Sequence, residues 1–296
     1  MRRTVAVAGI CAMALSGCQA QSSIVPAHEP DPVVVVETAS FGESEIVGLI
    51  YGNALSRAGY RVTPRAQAGD QDDVIDSVST GEATFTVGFT GELLSRFEPG
   101  STARGADEVY EAMMAALPEG VTAADPSPAE DAPVYVVSRH TSESQGIRTM
   151  SDLAGNCESF TLGGRSEVLA DADLSASVGS TYDCGFGQRV ELGSDPRTVL
   201  EALRAGEVGV GLVQSADPVL HPDDMVPLED DDDAIRAQHL VPVFRKGSLS
   251  EDQLRVVNRI SGELTTDDVR DLLLGVEFGT ATPMGLADYW LDENGY

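Results

Sequence analysis

The chain has 296 residues and a formal net charge of −29, from 48 acidic and 19 basic side chains. A surface this acidic repels nucleic acid and anionic lipid, which removes both as partners. Lys246 is the single lysine, so a cationic contact to any ligand falls to one of the arginines.

The N-terminus opens Met1-Arg2-Arg3, runs apolar from Thr4 to Leu15 and reaches Leu15-Ser16-Gly17-Cys18. That order reads as a secretory signal, too short to span a bilayer. The LSGC string resembles the lipobox of bacterial lipoproteins, which implies cleavage before Cys18, lipidation of Cys18 and anchoring to the outer face of the cell membrane. An ordinary signal with a chance cysteine is the alternative. The expected segments are a signal peptide at 1–17 and a polar tether at 18–32 that holds three prolines. No later apolar stretch approaches the 18 residues that a membrane helix needs.

Val33–Val36 is a β-branched run suited to a buried strand. A helical pattern from about Glu43 to Ala58 stops at Gly59, and Arg61–Pro64 supplies a second strand. Asp70 caps a helix through Ser79, Gly81 stops it, and Ala83–Phe89 is a third strand. The same unit recurs: Ser194 caps, Pro196 opens the helix, Thr198–Ala205 continues it, Gly206 stops it and Glu207–Val213 is the strand. GEATFTVGFT at 81–90 and GEVGVGLVQS at 206–215 therefore align at an offset of 125. Each half reads as an α/β layer with a mixed, mainly parallel sheet. Glu119–Pro133 suits a crossover, and Pro227–Pro242, with the acids Glu229–Asp233, suits a return. Helical patterns at Glu251–Leu264, Asp267–Leu274 and Met284–Leu291 close the chain. The expected lobes are 33–132 with 241–296, and 133–240.

Beyond Cys11 in the signal and Cys18, only Cys157 and Cys184 remain. An isolated pair in an exported chain reads as one disulfide, worth roughly 3–4 kcal/mol by loop entropy. A metal site or reactive thiol would need a nearby histidine or second cysteine at ligand spacing, and neither is present.

Two α/β lobes joined by two crossings form a cleft, and parallel sheets bind ligands beyond their strand C-termini. The loops facing that cleft are Thr38–Glu43, Phe89–Glu92, Leu162–Glu167 and Gln214–Asp217. Here the chain resembles the osmoprotectant-binding proteins of ABC importers, which carry glycine betaine, choline or carnitine. The likeness is carried in order by VVVVETASFGESEIVGLIYGNALSRAGYRV, TGEATFTVGFTGELL, ADPSPAEDAPVYVV, MSDLAG, LEDDDD, VPVFR and ADYWLDENG, spanning about 33–296. It implies a two-lobed periplasmic-binding-protein fold (type II, Venus-flytrap) that closes by hinge motion around a small solute. An ABC permease is the implied protein partner, with no cofactor and no metal.

The site departs from that family. A quaternary ammonium donates no hydrogen bond and is held by a cage of tyrosine faces. By alignment those tyrosines fall on Phe89, Pro133, Gln214 and Gln238. Three missing π faces total ~1.5–6 kcal/mol. A change of register by one or two residues would bring Tyr135 or Tyr182 into play instead. The family's first-loop lysine corresponds to Ala39, and its lobe-2 arginine falls near Ala170–Asp171. Arg165 either takes that arginine's place or is a surface residue paired with Glu167.

What remains favours polar recognition. Thr38, Ser40, Thr90, Gln214, Ser215 and Gln238 offer hydrogen bonds, Phe41 and Phe89 offer stacking faces, and Asp131 and Asp217 suit an amine. The structural alternatives are helix caps at Ser40 and Thr90, core packing of the two phenylalanines, and a turn at Asp217-Pro218. Catalysis has no support: the sequence holds no GxSxG or HExxH string, and His28, His140, His221 and His239 fall in connecting segments. The run Glu229–Asp233 lacks the alternating spacing of a calcium loop. A second functional class stays open, an envelope sensor or scaffold that kept the fold and lost its pocket.

Overall fold

In the computed structural model, residues 32–40, 42–218, 220 and 224–296 are described. The signal, tether residues 18–31 with Cys18, Phe41 and His221 lie outside the described residues. Among the described residues, ten strands and twelve α-helices follow in chain order. The first block is β1 (Val34–Glu37), α1 (Gly42–Arg57), β2 (Val62–Arg65), α2 (Gln71–Thr80), β3 (Phe85–Phe89), α3 (Thr90–Phe97), α4 (Ala106–Ala116) and β4 (Val121–Ala123). The second is β5 (Pro133–Ser138), α5 (Arg139–Gln145), α6 (Met150–Leu153), β6 (Thr161–Gly164), α7 (Ser166–Leu169), α8 (Ala172–Tyr182), β7 (Gln188–Glu191), α9 (Pro196–Ala205), β8 (Val210–Gln214) and β9 (Met225–Pro227). The chain then returns through β10 (Leu240–Arg245), α10 (Glu251–Glu263), α11 (Thr266–Glu277) and α12 (Pro283–Glu293).

The strands form two five-stranded sheets, ordered β2-β1-β3-β10-β4 and β7-β6-β8-β5-β9. In the first, β1 pairs parallel with β2 and β3, while β10 runs antiparallel to β3 and β4. In the second, β6 pairs parallel with β7 and β8, while β5 runs antiparallel to β8 and β9. Four strands of each sheet therefore share a direction and one opposes them. The opposed strands, β5 and β10, are those entered from the crossover and the return. This is a mixed, mainly parallel α/β architecture in two lobes.

The repeat is structural as well as textual. α2 and α9, and then β3 and β8, lie 125 residues apart. Gly81 and Gly206 stop their helices with φ of 87° and 71°, a left-handed conformation that glycine adopts without Cβ strain. Both strands begin later than the sequence predicts. Ala83 donates back to Ser77 O and Glu207 to Ala202 O, so these residues finish the helix cap before the ladder starts. Asp70 caps α2 as expected, but α9 is capped by Asp195 and not Ser194. The Asp195 carboxylate sits directly before Pro196 and accepts from Arg197 N at 3.0 Å, an acceptor that Ser194 is one residue too early to supply.

Sheet alternation buries both faces of each sheet. Leu240 and Phe244 of β10 join the core under α1 and α10–α12, while Val241 and Val243 point into the core under α2–α4. Around the second sheet, Tyr135 and Val137 pack with α6 and α8, and Val136 packs with α9. A disulfide joins Cys157 to Cys184, with Cα atoms 5.2 Å apart, and ties the start of β6 to the end of α8.

The two crossings run side by side. Leu240 N donates to Ala129 O, Asp131 N to Gln238 O, and Glu130 bridges His239 in antiparallel sense. Elsewhere the lobes meet through polar contacts. Arg104 pairs with Asp173 at 2.7 Å, Arg197 pairs with Glu277 at 2.7 Å, and Arg270 donates to Ser215 O at 2.8 Å.

Candidate functional site

The loops after β1, β3, β6 and β8 are the ones the sequence places at the cleft. After β1, Ala39 N donates to Ser44 Oγ and Ser40 N to Gly69 O, which delivers Glu43 into the first turn of α1. Acidic side chains are favoured there by the helix dipole. Ser40 itself is exposed. β3 runs straight into α3. Thr90 Oγ1 donates to Ala237 O and accepts from His239 N, and Gln238 Oε1 accepts from Glu92 N. Thr90 and the Gln238 carbonyl are therefore committed to pinning the return segment onto α3. A Cβ at Gly91 would meet Ala237 O at 2.6 Å and Gln238 Oε1 at 2.8 Å, so only glycine permits this approach.

The loop after β8 is bound to the crossover. Ser215 Oγ donates to Glu130 O and accepts from Ala132 N, and Asp131 Oδ1 accepts from Ala216 N at 3.0 Å. Asp217 folds the same loop into a turn by accepting from Gln214 N at 2.9 Å. Gln214 reaches Asp131 O through Nε2, while its buried Oε1 has no partner. Beyond β6, Arg165 occupies the position before α7. It makes no ion pair with Glu167 or with any other described residue, and its Nε is buried without a partner.

These residues share one electrostatic environment. Burial raises the Asp131 carboxyl to about 7, partly offset by the Ala216 amide; Glu43 and Asp217 push it up further and Arg165 pulls it down. Burial also raises Glu43, as does the charge of Asp217, while its own backbone amide and Arg165 oppose the rise. Asp217 is raised by burial against the Gln214 amide and Arg165. So Glu43 from lobe 1, Asp131 from the crossover, and Asp217 and Arg165 from lobe 2 feel one another's charge. Glu43 falls within a predicted cleft loop, but sequence reasoning does not single it out, because an acid in a helix's first turn has an ordinary explanation.

Pro133 and Gln238, two of the positions where tyrosines are expected, line a cavity of about 290 Å³ between the lobes with Ser95, Arg104, Asp171 and Asp173. Phe89 is buried at 6% exposure, within the lobe 1 core. Tyr135 and Tyr182 do not enter the cleft. Tyr135 stacks on Phe186 and Tyr182 donates to Asp230, both in the core of lobe 2. The acidic run is likewise structural: Asp230 accepts from Ala234 N and Ile235 N, and Asp231 from Ser151 N. Among the described residues no group of three or more His, Cys, Asp or Glu is placed to hold a metal, and no helix is long and apolar enough to cross a membrane. A further cavity of about 170 Å³ lies within lobe 1, between α1 and the edge strand β2, and is lined by Thr38, Arg65 and Ala66 where β1 and β2 end.

A family model described as the substrate-binding domain of an ABC-type glycine betaine transport system matches residues 32–293. Among solved structures, one described as a glycine betaine/carnitine/choline ABC transporter superposes with a TM-score of 0.78 at 19% identity, covering 88% of this chain and 98% of the other. Apo YehZ from Escherichia coli gives a TM-score of 0.76 at 18% identity, covering 88% and 98%. Lactococcal OpuAC, in its closed conformation with glycine betaine, gives 0.55 at 17% identity, covering 89% and 96%. No curated protein matches the sequence.

Proposed function

The chain belongs to the family of substrate-binding domains of ABC-type glycine betaine transport systems, and from that membership we propose that its cleft captures a small polar solute and delivers it to an ABC permease. Proteins of this class work outside the cytoplasm. Lipidation at Cys18 is the anchor that the LSGC string supports. Binding is by lobe closure, with no chemistry on the solute.

The observation that carries this reading is the family match over residues 32–293 on a two-lobed fold, and the mutual charge influence of Glu43, Asp131, Arg165 and Asp217 supports a polar solute. Such groups are costly to bury together without a partner, and a charged or polar solute supplies one. Gln214, with its buried unpaired Oε1, adds an acceptor beside them. Ser40, Phe89, Thr90 and Gln238 border the site in this reading, with Thr90 and Gln238 acting mainly through the return segment they hold.

The test is thermal unfolding of the full chain in mild detergent against betaines, choline, carnitine, polyols, amino acids and sugars. A bound solute at a hundred times its Kd adds ~2.7 kcal/mol and raises the midpoint by roughly 5–10 °C. If no solute stabilises the chain and its deletion leaves uptake unchanged, the capture reading fails and an envelope scaffold replaces it.

A further inference from the structure

The cavity of about 290 Å³ between the lobes has no aromatic side chain in its wall, so it offers no π face to a methylated ammonium. It has two guanidiniums instead. Arg104, from the segment before α4, and Arg236, from the return, line it together with Gln238. This cationic wall belongs to a chain of net charge −29.

Neutral groups hold both arginines in place. Arg236 donates to Ser95 Oγ at 2.9 Å and Ser101 O at 2.7 Å, and Arg104 donates to Ser177 Oγ at 3.3 Å and Ala103 O at 3.1 Å. Among the described residues they have one acid between them, Asp173. Its Oδ1 lies 2.7 Å from Arg104 and its Oδ2 3.4 Å from Arg236. A single carboxylate thus spans two guanidiniums and leaves one positive charge unbalanced. Asp171, the other acid in the wall, is exposed, caps α8 by accepting from Leu174 N and pairs with neither arginine. The Arg236 side chain is only 9% exposed, and its Nε is buried without a partner. Gln238 Nε2 makes no hydrogen bond among the described residues, while Glu92 N holds the Oε1 end.

The wall therefore keeps donors to spare. Asp173 is 59% exposed, so water solvates it once released and the exchange costs little. A carboxylate inside the cavity takes over both its contacts and adds Arg236 Nε and Gln238 Nε2, which Asp173 leaves unused. The planar fork of a guanidinium matches such a group. Resting on the solute-capture reading above, we infer that this cavity takes an organic anion, a small solute whose carboxylate displaces Asp173 from Arg104 and Arg236.

Isothermal titration of the full chain in mild detergent tests this with acid and amide pairs, lactate against lactamide and succinate against succinamide, and with choline as the cation. The acids should bind roughly tenfold or more tighter than their amides. Arg236→Gln should weaken the acids roughly tenfold or more, whereas Asp173→Asn, which frees both arginines, should tighten them roughly threefold. A latch that only holds the lobes together behaves differently, because both substitutions break it and move affinity the same way. Shifts of one sign in the two variants, amides bound as well as acids, or choline bound in preference overturn the inference and leave solute capture standing. Binding of a polyol or sugar, with neither acid bound, overturns it in the same way. If nothing in the wider panel binds, the capture reading itself falls, and this inference with it.

Discussion

Asp131→Asn removes the most strained charge of the cleft while keeping an oxygen to accept from Ala216 N. Burial raises this carboxyl from its ordinary 3.8 to about 7, with Glu43 and Asp217 adding to the rise. An acid whose folded pKa is raised destabilises the fold when ionised: the cost is absent below 3.8, grows as the pH climbs, and is complete above about 7. At 1.36 kcal/mol per pH unit the ceiling is about 4 kcal/mol. Asp131 is only partly buried, so solvent screening reduces this to roughly 1–2 kcal/mol. The variant should therefore melt about 2–8 °C higher than the parent at pH 8. At pH 5.5, about half that advantage should remain. Solute binding should weaken in the same variant, the usual trade between stability and a strained site. Thermal melts at the two pH values, without solute and with it, read both effects. A variant less stable at pH 8, or an advantage that does not shrink on acidification, would show that Asp131 is a structural residue of the crossover and not a strained binding group.

Other expectations follow from the geometry. Replacing both Cys157 and Cys184 by alanine releases a loop of 27 residues and should cost ~3–4 kcal/mol, read as a melting point about 6–15 °C lower. Gly91→Ala places a Cβ 2.6 Å from Ala237 O, so the return segment must move; urea unfolding should show a loss of about 1–3 kcal/mol. Arg104→Ala combined with Arg270→Ala removes the Asp173 pair and the bond to Ser215 O. Overall stability should change by only about 1–2 kcal/mol, since the Asp173 carboxylate is exposed and stays hydrated without its partner. The radius of gyration by small-angle scattering should nevertheless increase, because these bonds join the lobes rather than hold either one together.

The alternation of helix, glycine stop and buried strand is readable in the sequence because each signal has a local cause. Asp70, Gly81, Pro196 and Gly206 act on their own turns, and the 125-residue offset links two copies of one unit. The sheet order also follows from that repeat, with β10 and β5 as the opposed strands of the two lobes. Side-chain roles at the loops are less legible. Thr90 and Ser215 have the chemistry of ligand contacts, yet their partners are Ala237, His239, Glu130 and Ala132, distant in sequence and met only through the crossings. Tyr135 and Tyr182 carry the family's cage chemistry, but strand alternation and the face of α8 turn them into the core. Glu43 is hidden for the opposite reason: its role depends on Asp217, far along the chain, while its local setting suffices to explain an acid.

The same long-range arrangement ties binding to closure. Glu43 belongs to lobe 1, Asp217 to lobe 2 and Asp131 to a crossing strand, and the charge of Asp217 raises the other two. Like charges therefore sit together in a poorly hydrated region, where repulsion is screened least. Arg165 offsets part of it, but one guanidinium does not balance three carboxylates. A solute shifts a conformational equilibrium by no more than its difference in affinity for the two states. Asp131 joins the two crossings to lobe 2, since its amide donates to Gln238 O of the return and its carboxylate accepts from Ala216 N.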